Sequence, residues 1–194
     1  QIRVRTGIDI RILSNSEQRF ISYKAIAYKD AEFHKVIQKG TAILDVGNGS
    51  TQISLFDKDS LVSTQNLPLG IIRLLEIIGN MKTTAEKERK LIQEIVDNEL
   101  VTFRKIYLKD RKIENLIGIG KVTLILYRKI MGDGSQKDRI TVEEFNRFYE
   151  MLGRMTLDQI EETFEINADY ANLLLPASTI IRQVLEVTGA ENIW

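Results

Sequence analysis

The stretch from Thr41 to Leu67 constrains this chain more than any other, because it holds three short apolar runs separated by two polar turns. Thr41 to Val46 is apolar, and Gly47-Asn48-Gly49 breaks the run. Residues 51–56 then alternate apolar and polar, the period of a strand with two unlike faces. Asp57-Lys58-Asp59-Ser60 reverses the chain, and residues 61–67 make a third run. Connections this short join antiparallel neighbours. The segment therefore reads as an antiparallel three-strand meander.

The flanking segments add helices. Ile8, Ile10 and Ile12 alternate with Asp9 and Arg11, which predicts a strand over residues 8–13. Ser14 and Glu17 form a capping box that opens a helix to about residue 29. Residues 30–40 are mixed and polar and read as a loop. Beyond the meander, residues 71–78 read as a short helix. Thr83 with Glu86 is a second capping box, and Ile92, Val96, Leu100, Phe103 and Tyr107 line one face of a long helix. Residues 115–119 read as a buried strand ending in Gly118-Ile119-Gly120, with a helix through Ile130 behind it. Gly132 to Ser135 reads as a loop. Thr141 with Glu144, and Thr156 with Gln159, start two more helices. A last helix over residues 169–188 stops at Gly189, and Ile193-Trp194 reads as a strand just begun. This order predicts an α/β fold, a mixed sheet with packed helices.

The 194 residues, 43% hydrophobic and 28% charged, fit one domain or one lobe of a two-lobe protein. Lys and Arg total 27, as do Asp and Glu. That balance argues against a general nucleic-acid coat, which needs a strong positive field. No apolar run approaches the roughly 18 residues that span a bilayer. There is no Cys, which rules out disulfides and thiolate metal sites and fits a cytoplasmic location. The start at Gln1 and the end at Trp194 lead to the expectation that both ends were cut from something longer.

The turn Asp45-Val46-Gly47-Asn48-Gly49-Ser50-Thr51 carries the chemistry. Gly47 and Gly49 permit backbone angles closed to other residues, so successive N–H groups can converge as an anion nest. Ser50 and Thr51 add hydroxyl donors. Asp45 at the strand end is the best candidate to hold a metal-bound or attacking water. The spacing is neither a Walker loop nor a dinucleotide fingerprint, because both of those lead into a helix. The competing reading is a plain hairpin with an Asn-Gly tip.

Five segments in order resemble the exopolyphosphatase/guanosine pentaphosphatase (Ppx/GppA) family of the actin-like, sugar-kinase-like and Hsp70-like superfamily. They are Leu13-Ser14-Asn15-Ser16-Glu17-Gln18-Arg19; the turn from Asp45 to Gln52; Asn66-Leu67-Pro68-Leu69-Gly70-Ile71-Ile72-Arg73-Leu74; Gly118-Ile119-Gly120-Lys121-Val122; and Pro176-Ala177 with Gly189-Ala190-Glu191-Asn192-Ile193. The resemblance implies a ribonuclease-H-like lobe. The family's first phosphate loop has no counterpart here, so residues 1–194 resemble the second lobe alone, as a single domain, without the first lobe and the final strand and helix. Family members hydrolyse the terminal phosphate of polyphosphate or guanosine pentaphosphate with Mg²⁺.

Several departures fall on the residues that would do that chemistry. The family's general-base Glu aligns with Gln18, and an amide takes no proton at neutral pH. Glu17 beside it is the fallback base, although the capping box already uses it. The Glu that closes the phosphate motif aligns with Gln52. Asn48 stands for a Gly, and Asn tolerates left-handed angles better than most residues. Lys121 and Val122 replace Gly-Thr, and an expected Asp aligns with Asn172. The resemblance therefore implies a phosphohydrolase lobe that binds phosphate chains at Asp45, Gly47, Asn48, Gly49, Ser50, Thr51 and Gln52, with hydrolysis weakened. The alternatives are a non-catalytic polyphosphate- or alarmone-binding regulator, and a structural lobe kept for homodimerisation. His34, the single His, reads as incidental. The basic run Arg104, Lys105, Lys109, Arg111 and Lys112 reads as a solvated helix end. Phe145, Phe148, Tyr149 and Trp194 read as core.

Overall fold

The computed structural model describes residues 2–29, 32–79, 85–132 and 134–194, and the chain divides into two compact units, residues 1–36 and 37–194. The capping box expected at Thr83 and Glu86 lies outside the described residues.

The first unit holds α1 (Ile2–Thr6) and α2 (Asn15–Lys29), with α3 (Phe33–Ile37) across its end. α2 starts as its capping box predicts. The Glu17 N–H donates to Ser14 Oγ at 3.3 Å, and the Ser14 N–H donates to the Glu17 carboxylate at 2.9 Å. The strand expected over residues 8–13 is not formed, and Ile8, Ile10 and Ile12 are exposed. A strand exists only within a ladder, and no strand pairs with this segment among the described residues. The expected loop over residues 30–40 contains α3, whose Phe33, Val36 and Ile37 are buried at helical spacing. His34 lies exposed on that helix rather than in a loop.

The second unit is built on a mixed sheet. Its strands are β1 (Thr41–Val46), β2 (Thr51–Asp57), β3 (Ser60–Leu67), β4 (Asn115–Ile119), β5 (Ile140–Thr141) and β6 (Asn192–Ile193), in the order β3-β2-β1-β4-β6-β5. β1, β2 and β3 form the antiparallel meander, while β4 runs parallel to β1, and β6 runs parallel to β4. β5 adds an antiparallel edge that sequence reading misses, because two residues carry no period. The turn from β2 to β3 has positive φ at Lys58 (49°) and Asp59 (60°), which is the backbone of a tight hairpin with matching twist.

The helices α4 (Ile71–Gly79), α5 (Ala85–Thr102), α6 (Lys121–Met131), α7 (Val142–Leu152), α8 (Leu157–Phe164) and α9 (Ala168–Thr188) complete the unit. α7 and α8 begin at the capping boxes of Thr141 and Thr156, and Gly189 ends α9 in the left-handed conformation. α9 packs against α4 to α8 and against β1. The face of the sheet carrying Ala42, Leu44, Val46, Ile53, Leu55, Leu67 and Leu116 joins the same core, together with Phe145, Phe148 and Tyr149. Trp194 is half-buried and donates from Nε1 to Asn115 Oδ1 at 3.2 Å.

α5 runs into a π-helical turn, Phe103–Leu108. Ile92, Val96, Leu100 and Phe103 are buried as expected. The wider turn then advances the register by one residue, so Leu108 rather than Tyr107 is next to be fully buried. Arg104, Lys105, Lys109, Arg111 and Lys112 are exposed around its end.

Candidate functional site

The turn between β1 and β2 is held by α4, a non-local arrangement that an Asn-Gly hairpin lacks. The Ile71 N–H donates to the Gly47 carbonyl and the Ile72 N–H to the Asn48 carbonyl, each at 3.0 Å. The turn thus supplies the acceptors that the first turn of α4 needs. Within the turn, the Gly47 N–H donates to the Ser50 carbonyl at 3.0 Å. Among the described residues, no acceptor takes the N–H groups of Asn48, Gly49 or Ser50. Asn48 and Gly49 are exposed, and Gly47 and Ser50 are half-buried.

The expected use of left-handed angles is not what the glycines provide. Neither Gly47, Asn48 nor Gly49 has positive φ. The tight-hairpin backbone that Asn48-Gly49 could adopt is found at Lys58-Asp59 instead, because α4 pulls the Gly47 and Asn48 carbonyls toward itself. Gly47 is needed for space, since a Cβ there would lie 2.8 Å from the Ser50 carbonyl oxygen. Gly70 is needed more strongly. A Cβ there would lie 2.2 Å from the Asn48 oxygen and 2.4 Å from the Gly49 carbonyl carbon. The Pro68-Leu69-Gly70 segment is therefore the seat of the turn.

The named side chains do not all converge on one point. Asp45 pairs across the strands with Gln52, and Gln52 with Asn66, so these three share one face of the sheet. Asp45 is half-buried. Gln52 is only 5% exposed, and its amide donates to Ser54 Oγ at 3.2 Å, which in turn bonds Thr64 Oγ1 at 2.8 Å. Thr51 pairs with Val46 and Leu67, so its side chain faces the helix-packed side. It is buried, and its Oγ1 has no hydrogen-bond partner among the described residues.

Asp45 faces a second turn, at the end of β4, within the Gly118–Val122 segment that the family resemblance singles out. β1 and β4 are parallel and finish together, Asp45 opposite Ile119. The next residue, Gly120, has φ 103° and ψ 162°, a conformation essentially reserved for glycine. A Cβ on it would lie 3.4 Å from Asp45 Oδ1. The carboxylate and the 47–50 turn thus lie at the carboxyl ends of β1 and β4, where β1 continues into the turn to β2 and β4 into α6. Open α/β sheets bind ligands at that place.

Glu17 and Gln18 belong to the first unit. Gln18 is exposed on α2. The Glu17 carboxylate accepts from the N–H and hydroxyl of Ser14 and pairs with Arg11. Those Ser14 hydrogen bonds, aided by Arg11, hold its pKa below the ordinary glutamate value. Among the described residues, no group of three or more His, Asp or Glu side chains is placed to hold a metal ion.

The model of the Ppx/GppA phosphatase family matches residues 1–193. The chain belongs to that family. Its fold matches the crystal structure of the Aquifex aeolicus family member at TM-score 0.77 and 17% identity, over 99% of this chain and 61% of that one. A type II variant of the Aquifex aeolicus Ppx/GppA phosphatase matches at 0.76 and 18%, over 99% and 63%. An exopolyphosphatase from Cytophaga hutchinsonii matches at 0.70 and 19%, over 83% and 56%. The chain therefore spans about three-fifths of the length of these solved relatives. No curated protein matches the sequence. The α/β fold implied by the five segments, a mixed sheet with packed helices, is the fold observed, and no helix among the described residues is long and apolar enough to cross a membrane.

Proposed function

We propose that residues 1–194 act as the second, phosphate-binding lobe of an exopolyphosphatase-like phosphohydrolase whose hydrolysis is weakened. The observation that carries this reading is the turn itself, where three successive N–H groups at Asn48, Gly49 and Ser50 have no acceptor among the described residues. Such a row of donors is a nest for a phosphate oxygen. Ser50 Oγ adds a donor beside it, while Thr51 packs toward the helices and Gln52 lies on the Asp45 face of the sheet, bonded to Ser54. The substrate class is a linear phosphoanhydride, polyphosphate or guanosine pentaphosphate. Among the described residues Asp45 is the best candidate to hold a Mg²⁺, with substrate phosphates and water as the other ligands, a donor set that suits this cation. When bound, Mg²⁺ would neutralise phosphate charge, while Asp45 would orient water at this end of the sheet and the turn would fix the chain end.

The weakened chemistry rests on Gln18 and Gln52 standing where the family has carboxylates, and on Glu17 being an ionised cap with a depressed pKa rather than a base poised near neutrality. A second reading, a regulator that binds polyphosphate or an alarmone without cleaving it, is favoured by the same two amides. We further propose a cytoplasmic location and no nucleic-acid partner; homodimerisation belongs to the structural alternative. Phosphate release from polyphosphate with Mg²⁺ separates the two main readings, measured on the complete protein and on its Gln18→Glu/Gln52→Glu variant. Slow release that rises in the variant supports the weakened enzyme. No release in either supports the regulator. Fast release by the parent contradicts both.

A further inference from the structure

α7 buries one face, where Phe145, Phe148, Tyr149 and Leu152 enter the core. At about 100° per residue, Glu143, Asn146, Arg147, Glu150, Met151 and Arg154 fall in a stripe on the opposite side. A turn carries that stripe past the end of the helix, since the Arg154 N–H donates to the Met151 carbonyl. Glu143, Arg147, Met151 and Arg154 are exposed, and Asn146 and Glu150 are half-buried. Glu143, Arg147 and Arg154 form no ion pair among the described residues, although Glu143 and Arg147 are spaced to make one. Glu150 bonds Arg89 and Arg182 through Oε1 alone, at 2.9 and 3.1 Å, so among the described residues its other oxygen has no donor. A groove runs on each side of the stripe. The groove toward α8 is basic, with Arg147 and Arg154 over Met151 and Met155. The groove toward the end of α9 is acidic, with Glu143, Glu186 and Glu191. Asn146 lines both.

We propose that this face of α7 is an interface with a second copy of the chain, the two α7 helices packing antiparallel about a two-fold axis. An axis passing between Phe148 and Tyr149 sets Glu143 of each copy opposite Arg154 of the other, and Arg147 opposite Glu150. Each opposite-charge pair forms twice, because a two-fold interface uses the same patch on both copies. Parallel pairing would bring each charge against its like, so the charge pattern selects the antiparallel arrangement. The grooves beside each α7 take the ridges of its mate. Asn146 meets Met151 near the axis, and both Met and Arg are enriched in such contacts. α7 starts beside the amino end of β6, because Thr141 pairs with Asn192. The phosphate turn follows the carboxyl end of β1, and β1, β4 and β6 are parallel. The interface thus begins at the opposite end of the sheet from the phosphate turn, and pairing through it is compatible with phosphate binding.

The test is sedimentation velocity over a concentration series, on the complete protein and on its Glu143→Arg and Arg154→Glu variants. The parent should form a dimer. Either substitution sets like charges opposite each other at both ends of the interface and should weaken the dimer by about tenfold or more. Both side chains are exposed, so both variants should keep the Tm of the parent. Mixing the two variants in equal amounts restores opposite charges at both ends and should return a dimer of parental affinity containing one copy of each. Misfolded variants would not rescue one another in this way. A monomeric parent overturns the proposal. So does a dimer that neither substitution weakens, or a mixture that stays monomeric.

Discussion

Gly70 and Gly49 look alike in the sequence, but the structure assigns them opposite sensitivities. A methyl group at Gly70 would sit 2.2 to 2.5 Å from backbone atoms of Asn48 and Gly49. Backbone cannot swing aside as a flexible side chain can, so either α4 or the turn must move. Overpacking of this kind costs about 1–3 kcal/mol. Movement of the turn also weakens the bonds from Ile71 and Ile72 to the Gly47 and Asn48 carbonyls, each worth about 0.5–1.5 kcal/mol net. Gly70→Ala should therefore lose about 2–4 kcal/mol of stability, with a fall in Tm of roughly 5–15 °C for a chain this long. Gly49 meets no atom within 4 Å and has no positive φ, so Gly49→Ala should stay within about 0.5 kcal/mol of the parent. Urea unfolding of both variants measures the contrast. Equal losses, or a Gly70→Ala variant within about 0.5 kcal/mol of the parent, would refute the seat assigned to the turn.

Three further outcomes follow from the geometry. Glu144 is held down to a pKa of about 2 by its hydrogen bond from Lys137 at 2.7 Å and by the Thr141 N–H, so its contribution is complete above the ordinary value of 4.5 and is lost as pH falls through about 2. Glu144→Gln should lower stability at pH 7, with the gap from the parent closing between pH 4.5 and 2 in denaturation curves; a gap independent of pH would contradict this. Glu150 accepts from Arg89 at 2.9 Å and Arg182 at 3.1 Å, both stacked on Tyr149, so Glu150→Ala should cost about 1–2 kcal/mol by urea unfolding, and a neutral result would show the guanidinium cluster to be self-sufficient. Gly49→Asp puts a carboxylate into the proposed nest and should abolish tripolyphosphate binding in calorimetry, where unchanged affinity would exclude the nest.

What was legible in the sequence was local. The capping boxes at Ser14, Thr141 and Thr156 need only residues three apart, and the meander needs only short turns between alternating runs. The segment at residues 8–13 misled because alternation marks a strand only where a ladder exists. Tyr107 was replaced by Leu108 on the buried face because a π-helical turn shifts the period without a residue type to announce it. Gly70 gave no sign of its role, since the atoms it must avoid lie about twenty positions earlier in the chain. The turn lies between two strands as its flanking runs imply, but closeness to α4, not unusual angles at its glycines, decides its shape. Asp45 was visible as a strand end, whereas its neighbour Gly120 depends on the parallel pairing of β1 with β4, which no local pattern encodes.

The N–H groups of the 47–50 turn are the proposed phosphate site, and amide chemical shifts read those groups one by one. Tripolyphosphate added to ¹⁵N-labelled protein should move the Asn48, Gly49 and Ser50 resonances along one saturable curve. The dissociation constant should be in the millimolar range, since a ligand open to water is bound by screened contacts. If those three resonances stay in place, or if the shifts gather instead at Arg104, Lys105, Lys109, Arg111 and Lys112, the turn is not the phosphate site.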